Sequence, residues 1–153
     1  LKTDGVQVYP STIALMRELR EAGIRVGVAS SSKNCEPVLK AAQVRDLVET
    51  VVDGVVSADR GLKGKPDPEI FTTAASELGA SFKATVIFED AVSGVQAGRQ
   101  GNFGLVIGIA REENVVELKE AGADLVVKDL AEITIQDIDA WFERKVSPTR
   151  TPL

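Results

Sequence analysis

An α/β fold with a mostly parallel sheet, covered by helices on both faces, is what this sequence predicts. Short apolar runs typical of buried strands alternate with longer segments of helical spacing. Such alternation favours βαβ units, whose right-handed crossovers make neighbouring strands parallel. The chain has 153 residues, a length that suits one domain with a substantial core.

Apolar periodicity places the elements in order along the chain. The first helix is clear because Ile13, Met16 and Leu19 recur at helical spacing before Gly23, a residue type that often ends helices. The predicted helices are residues 11–23, 35–44, 68–79, 93–101, 112–122 and 135–146. The strand-like runs are residues 24–30, 49–56, 84–90, 104–110 and 123–127.

The boundaries between these elements are rich in Gly, Pro and Asp. Residues 57–68 contain several of these types and indicate a long loop. The last residues, 147–153, have neither periodicity nor bulk, and we expect a flexible tail there. The domain is therefore expected to span residues 1–146.

Composition excludes several classes of chemistry. The chain has no histidine, so it cannot supply a Ser-His-Asp or Cys-His site or a histidine-bound zinc ion. The available carboxylates, hydroxyls, lysines and amides suit a hard cation such as Mg²⁺ together with a phosphate. A net charge of −5 without a basic run argues against nucleic acid, and the lack of a long apolar run argues against a membrane span. One cysteine, Cys35, precludes an intrachain disulfide and favours a cytoplasmic location.

Polar residues that follow strands are the candidate site residues, because ligands of parallel sheets bind beyond the carboxyl ends of the strands. Ser30, Ser31, Ser32, Lys33 and Asn34 follow the first strand-like run. Hydroxyls and amides at such a turn can hold an anion. The alternative is that serine and asparagine only cap the next helix.

A lysine and an acid pair follow later in the chain. Lys65 stands before Pro66, and a restrained ammonium can neutralise a phosphate, although it could equally be a solvated loop lysine. Glu89 and Asp90 end a strand-like run, and two acids there can share a divalent cation. The alternative is that Asp90 or Ser93 caps the following helix. Hydroxyl, lysine and acid pair occur in order at one end of one predicted sheet, which indicates an Mg²⁺-phosphate site.

These segments resemble a known family. "VASSSKN", "KGKPDPEIF" and "VIFEDAVSGVQAG" are similar to the second, third and fourth motifs of the haloacid dehalogenase-like phosphotransferases, and look closest to the beta-phosphoglucomutase branch. The likeness covers roughly residues 8–142. It implies a three-layer Rossmann-like fold and Mg²⁺-dependent phosphotransfer (a mutase, hence an isomerase) or phosphohydrolysis. The implied substrate is a small phosphorylated metabolite such as a sugar phosphate, and the implied parent protein is a monomer.

The resemblance also implies residue roles. Ser30 and Lys65 would contact the transferring phosphoryl group, with the Ser31 amide nearby. Glu89 and Asp90 would hold Mg²⁺ directly or through water. The positions that match a second phosphate site are Ser32, Lys33 and Asn34, and the alternative is that these residues serve the backbone. One departure is Ala91, which stands where the family commonly has serine or threonine.

The larger departure is a missing first motif. The family's nucleophile is the first aspartate of an Asp-x-Asp that ends an apolar strand, and the second is the general acid/base. The only Asp-x-Asp here is Asp137-Ile138-Asp139, which has amphipathic helix spacing and is expected to be a solvated helix face. The nucleophile strand and helical cap are thus expected in an N-terminal segment, cleaved or omitted, that pairs between the strands ending at Ser30 and Asp90.

Two alternatives stay open at this point. A phospho-receiver signalling domain also combines an acid pair, a hydroxyl and Lys-Pro, but it places the acid pair first in the chain. The 153-residue chain could also be a non-catalytic fragment that only binds Mg²⁺ or phosphate.

Overall fold

The computed structural model describes residues 2–3 and 6–146, which form an alternating α/β fold. The strands are β1 (Lys2–Thr3), β2 (Val6–Gln7), β3 (Gly27–Ala29), β4 (Thr50–Val52), β5 (Val86–Glu89), β6 (Leu105–Ile109) and β7 (Leu125–Val127). The helices are α1 (Pro10–Glu21), α2 (Cys35–Ala41), α3 (Gly54–Arg60), α4 (Glu69–Glu77), α5 (Val92–Gln100), α6 (Val115–Ala121) and α7 (Ile135–Val146). The tail expected at residues 147–153 lies outside the described residues.

The strands pair in three groups. β3 and β4 are parallel, and β5, β6 and β7 form a parallel group in that order. This pairing confirms the parallel α/β class. β1 and β2 form a short antiparallel pair that the sequence patterns did not predict.

The edges of β3 and β5 distinguish them from β6. Among the described residues, β3 pairs only with β4, and β5 pairs only with β6. Each of these two strands therefore has one edge without a partner strand among the described residues. Every residue of β6 is buried, whereas Val28, Ala29, Val86 and Phe88 are only partly buried. Since unpaired backbone amides are costly when they are kept from water, these two free edges could each accept a further strand.

Helices cover both faces of the strands, as predicted. Along β6, Val106 points into a core formed with α4, α5 and α6, and its neighbours Leu105 and Ile107 point into a second core formed with α1 and α7. This alternation follows from the two-residue period of a strand. Each such fully buried Leu or Ile stabilises the fold by roughly 1.5–3 kcal/mol. The two cores thus pack against opposite faces of β6.

The segment after β4 differs from the sequence-based expectation. The apolar run at residues 49–56 and the loop expected from residue 57 both contribute to helix α3. The side chain of Asp53 caps this helix by accepting hydrogen bonds from the N–H groups of Val55 and Val56, at 3.1 and 3.0 Å. Strand β4 is only three residues long, because the Asp53 cap satisfies the first free amides of the helix that follows.

The Asp-x-Asp near the end of the chain lies on α7, as expected. Ile138 is 5% exposed and faces the second core, whereas Asp137 and Asp139 are exposed. Asp137 and Thr134 exchange hydrogen bonds between side chain and backbone at the start of the helix. The prediction of a solvated helix face is confirmed. Of the helices at residues 10–146, none combines the length and apolar character needed to cross a bilayer.

Candidate active site

The loop between β3 and α2 is shaped by its own serines. The Ser30 hydroxyl oxygen accepts the Ser32 N–H at 3.1 Å, and the Ser32 hydroxyl oxygen accepts the Asn34 N–H at 3.1 Å. Asn34 is the residue before α2, but its side chain does not cap that helix. Asn34 therefore does not cap α2 with its side chain, whereas the Ser30 and Ser32 hydroxyls do bond the backbone of their own loop. Ser31 and Lys33 are exposed on this loop.

Cys35 lies beneath the loop. Its side chain is 1% exposed, and this burial raises the pKa of the thiol, although a hydrogen bond from Ser30 opposes the shift. The negative charge of Asp53 raises the pKa further, and the positive charge of Lys65 lowers it slightly. The pKa of this one thiol therefore responds to groups on three segments: the Ser30 loop, the turn after β4 and Lys65.

Lys65 is paired with Glu89. Its Nζ lies 2.7 Å from the Oε2 atom of Glu89, and the two side chains are only 15% and 10% exposed. The ammonium is also 5.1 Å from the ring centroid of Phe71, within the range of a cation–π contact. Lys65 is thus not a solvated loop lysine, since it connects its loop to the end of β5.

Burial dominates the electrostatics of Glu89. Removal from water raises the pKa of its carboxyl, and the neighbouring charge of Asp90 adds to this, whereas the charge and hydrogen bond of Lys65 lower it. A weak contact of 3.4 Å from the N–H of Ala91 to Oε1 also lowers the pKa. The carboxylate depends mainly on Lys65 to remain ionised.

Gly94 makes room for this carboxylate. A side-chain Cβ at position 94 would lie 2.0 Å from Cγ of Glu89, so no larger residue fits in the present arrangement. Asp90, the next residue after Glu89, is exposed. The residue before α5 is Ala91, and no side chain caps the helix. The capping alternative for Asp90 and Ser93 is therefore not seen.

The donor set here suits a hard cation in part. Mg²⁺ is usually bound by one or two carboxylates, with water and substrate oxygens completing its shell. Asp90 fits the role of one such carboxylate, and Glu89 is turned toward Lys65. Within residues 2–3 and 6–146, no three acidic or cysteine side chains cluster closely enough to form a metal site. The chain's own residues could thus supply part of a magnesium shell.

Two residues at this edge were not predicted. Asp53 is 3% exposed, and Gly54 donates its N–H to the carbonyl oxygen of Ser32 at 2.8 Å. The available signal was an aspartate directly after an apolar run, which is a common helix N-cap. The continued apolar residues Val55 and Val56 obscured it.

The comparisons with known proteins assign the family. A model of the haloacid dehalogenase-like hydrolases matches residues 1–102. The chain belongs to this family. A beta-phosphoglucomutase from Mycobacterium bovis is 42% identical over 136 residues, and the match covers 87% of this chain and 52% of that protein. A beta-phosphoglucomutase from Bacillus subtilis is 32% identical over 137 residues, covering 90% and 56%.

A solved structure agrees with this assignment. The haloacid dehalogenase-like hydrolase, family IA, variant 3, from Entamoeba histolytica has a TM-score of 0.79 and 27% identity, covering 92% of this chain and 63% of that one. Within the haloacid dehalogenase-like family, the chain is similar in sequence to beta-phosphoglucomutases. The receiver-domain alternative does not hold. The chain spans about half the length of these two beta-phosphoglucomutases.

Proposed function

We propose that the whole protein transfers or hydrolyses the phosphoryl group of a small phosphorylated metabolite, and that a sugar phosphate is the substrate. The observation that supports this most directly is the position of Lys65, whose ammonium donates a hydrogen bond to the Glu89 carboxylate at 2.7 Å, at the end of β5. The third and fourth sequence motifs therefore meet at one edge. The names of the beta-phosphoglucomutase relatives support the substrate class.

Each group at this edge has a role in the proposal. The Ser30 hydroxyl and the Ser31 amide hydrogen-bond the phosphoryl oxygens. An ammonium has three N–H donors, and the bond to Glu89 uses one, so Lys65 can also neutralise the phosphoryl group. Asp90 binds Mg²⁺, with Glu89 beside it. The ion, when bound, neutralises developing charge on the phosphoryl oxygens.

The rest of the loop is proposed to recognise a second anionic group. Ser32, Lys33 and Asn34 lie directly after the phosphoryl-binding residues, and Lys33 is exposed. A mutase must hold a substrate with two phosphates, whereas a phosphatase need not. Loss of turnover with bisphosphates, but not with monophosphates, in a Lys33→Ala variant would favour the mutase.

The nucleophile is proposed to come from a segment outside these residues. The free edges of β3 and β5 support a further strand there, and its carboxyl end would bring an aspartate close to Ser30, Lys65 and Asp90. The one Asp-x-Asp of the chain is on the solvated face of α7 and cannot serve. A continuous sheet in this chain alone, joining β3 directly to β5, would contradict the proposal. The cytoplasmic location expected from Cys35 stays a prediction.

Replacing Asp90 tests the proposed metal role. In the full-length protein, Asp90→Asn should abolish Mg²⁺-dependent hydrolysis of p-nitrophenyl phosphate and of glucose 1-phosphate, because the amide is a poor ligand for a hard cation. The exposed position of Asp90 means that the fold should be retained, which circular dichroism would check. Full activity in this variant would refute the metal role.

Replacing Lys65 tests the proposed neutralisation of the phosphoryl group. Lys65→Ala should lower the turnover rate by about a hundredfold or more, in line with the loss of one charge-stabilising group in the transition state. A change within about threefold would contradict the role. Steady-state rates at saturating substrate measure this effect separately from binding.

A second candidate applies to the 153-residue chain alone: it binds phosphate or Mg²⁺ without turnover. The location of Asp137 and Asp139 on α7 favours it, since neither can act as the nucleophile. Assays of the chain with and without a supplied upstream segment separate the two candidates. Phosphatase activity in the chain alone would contradict this one.

A further inference from the structure

The turn between β4 and α3 is hydrogen-bonded to the Ser30–Asn34 loop. The Ser30 N–H donates to the carbonyl oxygen of Val52 at 3.0 Å, which extends the β3–β4 pairing by one residue. Two residues later the turn is the donor instead of the acceptor, and the Gly54 N–H donates to the carbonyl oxygen of Ser32 at 2.8 Å. Two backbone hydrogen bonds, one at Ser30 and one at Ser32, thus attach the loop to this short turn.

Gly54 allows the loop to approach this closely. A Cβ at position 54 would lie 2.5 Å from the Ser31 carbonyl oxygen, 2.9 Å from Cγ of Lys33 and 3.1 Å from the Ser32 carbonyl carbon. Two of these three neighbours are backbone atoms, which cannot rotate away as a side chain can. Any larger residue must therefore move the loop or the turn.

Asp53 sets the direction of the turn. Its carboxylate is 3% exposed and accepts the N–H groups of Val55 and Val56, at 3.1 and 3.0 Å. Its backbone is extended, with φ −107° and ψ −170°, directly before the first helical residue, Gly54. The side-chain cap therefore holds the peptide that carries the Gly54 N–H in one orientation.

We propose that Asp53 and Gly54 are positioning residues for the phosphate-binding loop. They hold the loop in the position in which Ser30 and Ser31 can contact a phosphate monoester. This inference rests on the proposed function, because that function gives Ser30 and Ser31 their roles. A displacement of the reacting groups by about 1 Å can lower an enzymatic rate by about a hundredfold. Neither residue needs to contact the substrate.

The experiment uses steady-state hydrolysis of p-nitrophenyl phosphate by the full-length protein, with inorganic phosphate as a competitive inhibitor. Gly54→Ala should lower kcat/KM by about a hundredfold and weaken phosphate inhibition. Asp53→Ala should lower kcat/KM by roughly tenfold, and Asp53→Asn, which keeps the acceptor oxygen of the cap, should restore most of it. The matched control is Val55→Ala, since that side chain is 46% exposed on the same turn and should leave the rate unchanged.

A readout of loop position separates positioning from a general loss of stability. In ¹⁵N-labelled folded protein, Gly54→Ala should displace the amide resonances of Ser31 and Ser32 and reduce their response to added inorganic phosphate, while resonances of β6 stay in place. Unchanged Ser31 and Ser32 resonances, or rates within threefold of the wild type in folded variants, would overturn the inference. If Gly54→Ala does not fold, the contrast between Asp53→Ala and Asp53→Asn decides, and equal rates for the two would overturn it.

Failure of the proposed function has a different signature. A wild-type protein that neither hydrolyses the ester nor binds inorganic phosphate would refute the function, and the positioning role with it. An active wild type with equally active variants would refute the positioning role alone.

Discussion

At the level of single residues, the ion pair between Lys65 and Glu89 dominates the candidate site. Both side chains are largely buried, so the desolvation of each charge is offset mainly by the other. Removal of one partner leaves a buried charge without compensation. Loss of either partner is therefore expected to change both the stability of the fold and the geometry of the site.

A double-mutant cycle tests this coupling. Lys65→Met should lower the free energy of unfolding by about 3 kcal/mol, because it leaves Glu89 buried and unpaired. Glu89→Gln in the same chain should recover a large part of this loss, since the unpaired charge is gone. Urea unfolding of the two single variants and the double variant measures the coupling. Additive losses would show that the ion pair is not energetically coupled.

At the level of elements, α5 has a glycine, Gly94, in its first turn because the Glu89 side chain occupies the space beside it. Gly94→Ala should therefore destabilise the protein by about 2 kcal/mol or more, as overpacking does in a core. The control is Gly64→Ala, where no atom lies within 4 Å of the added Cβ and the backbone is not left-handed. Thermal or urea unfolding compares the two. Equal stabilities of the two variants would contradict the close approach of Glu89 to α5.

The turn after β7 carries a charge-dependent cap. Asp129 accepts the Ala131 N–H at 2.9 Å and pairs with Arg111 at 2.9 Å, and these contacts, the first above all, lower the pKa of its carboxyl from the ordinary value of 3.8. Arg111 in turn stacks 3.3 Å from the ring centroid of Tyr9, before α1. The cap thus joins the end of β7 to the start of α1.

The pH dependence of this cap follows from the direction of the shift. Because the folded-state pKa is lowered, the charged form stabilises the fold above pH 3.8, and this contribution is lost as the pH falls through the lower folded value. Asp129→Ala should cost about 1 kcal/mol at pH 7, as the loss of an N-cap does. Asp129→Asn should cost less, and its difference from the wild type should shrink as the pH is lowered toward 3. Urea unfolding at several pH values checks this, and a difference that does not change with pH would contradict the role of the charge.

At the level of the whole molecule, the free edges of β3 and β5 predict uneven hydrogen exchange. Strand β6 has neighbours on both sides, so its amides should exchange most slowly. About half of the amides in β3 and β5 point to their free edges and should exchange at least tenfold faster. Addition of the proposed upstream strand should remove this difference. Equal protection in all three strands of the 153-residue chain would contradict free edges.

Much of the fold follows from local patterns. The α1 and α4 helices could be predicted because apolar residues such as Ile13, Met16 and Ile70 recur at helical spacing, a signal that does not depend on distant contacts. The α3 helix could not, because Val55 and Val56 continue the apolar run of β4 and only the Asp53 cap separates the two. A cap acts through one side chain and leaves no periodic signal.

The same distinction applies to the site. Residue type and order along the chain were sufficient to name Ser30, Lys65, Glu89 and Asp90 as candidates, because parallel strands bring their carboxyl ends to one edge. Which of these side chains contact each other depends on packing. The pairing of Lys65 with Glu89, the space that Gly94 leaves and the support of the loop by Gly54 all arise from approaches of a few ångströms between segments that are distant in sequence. Such contacts are set by how the helices pack on the sheet, and no local pattern encodes them.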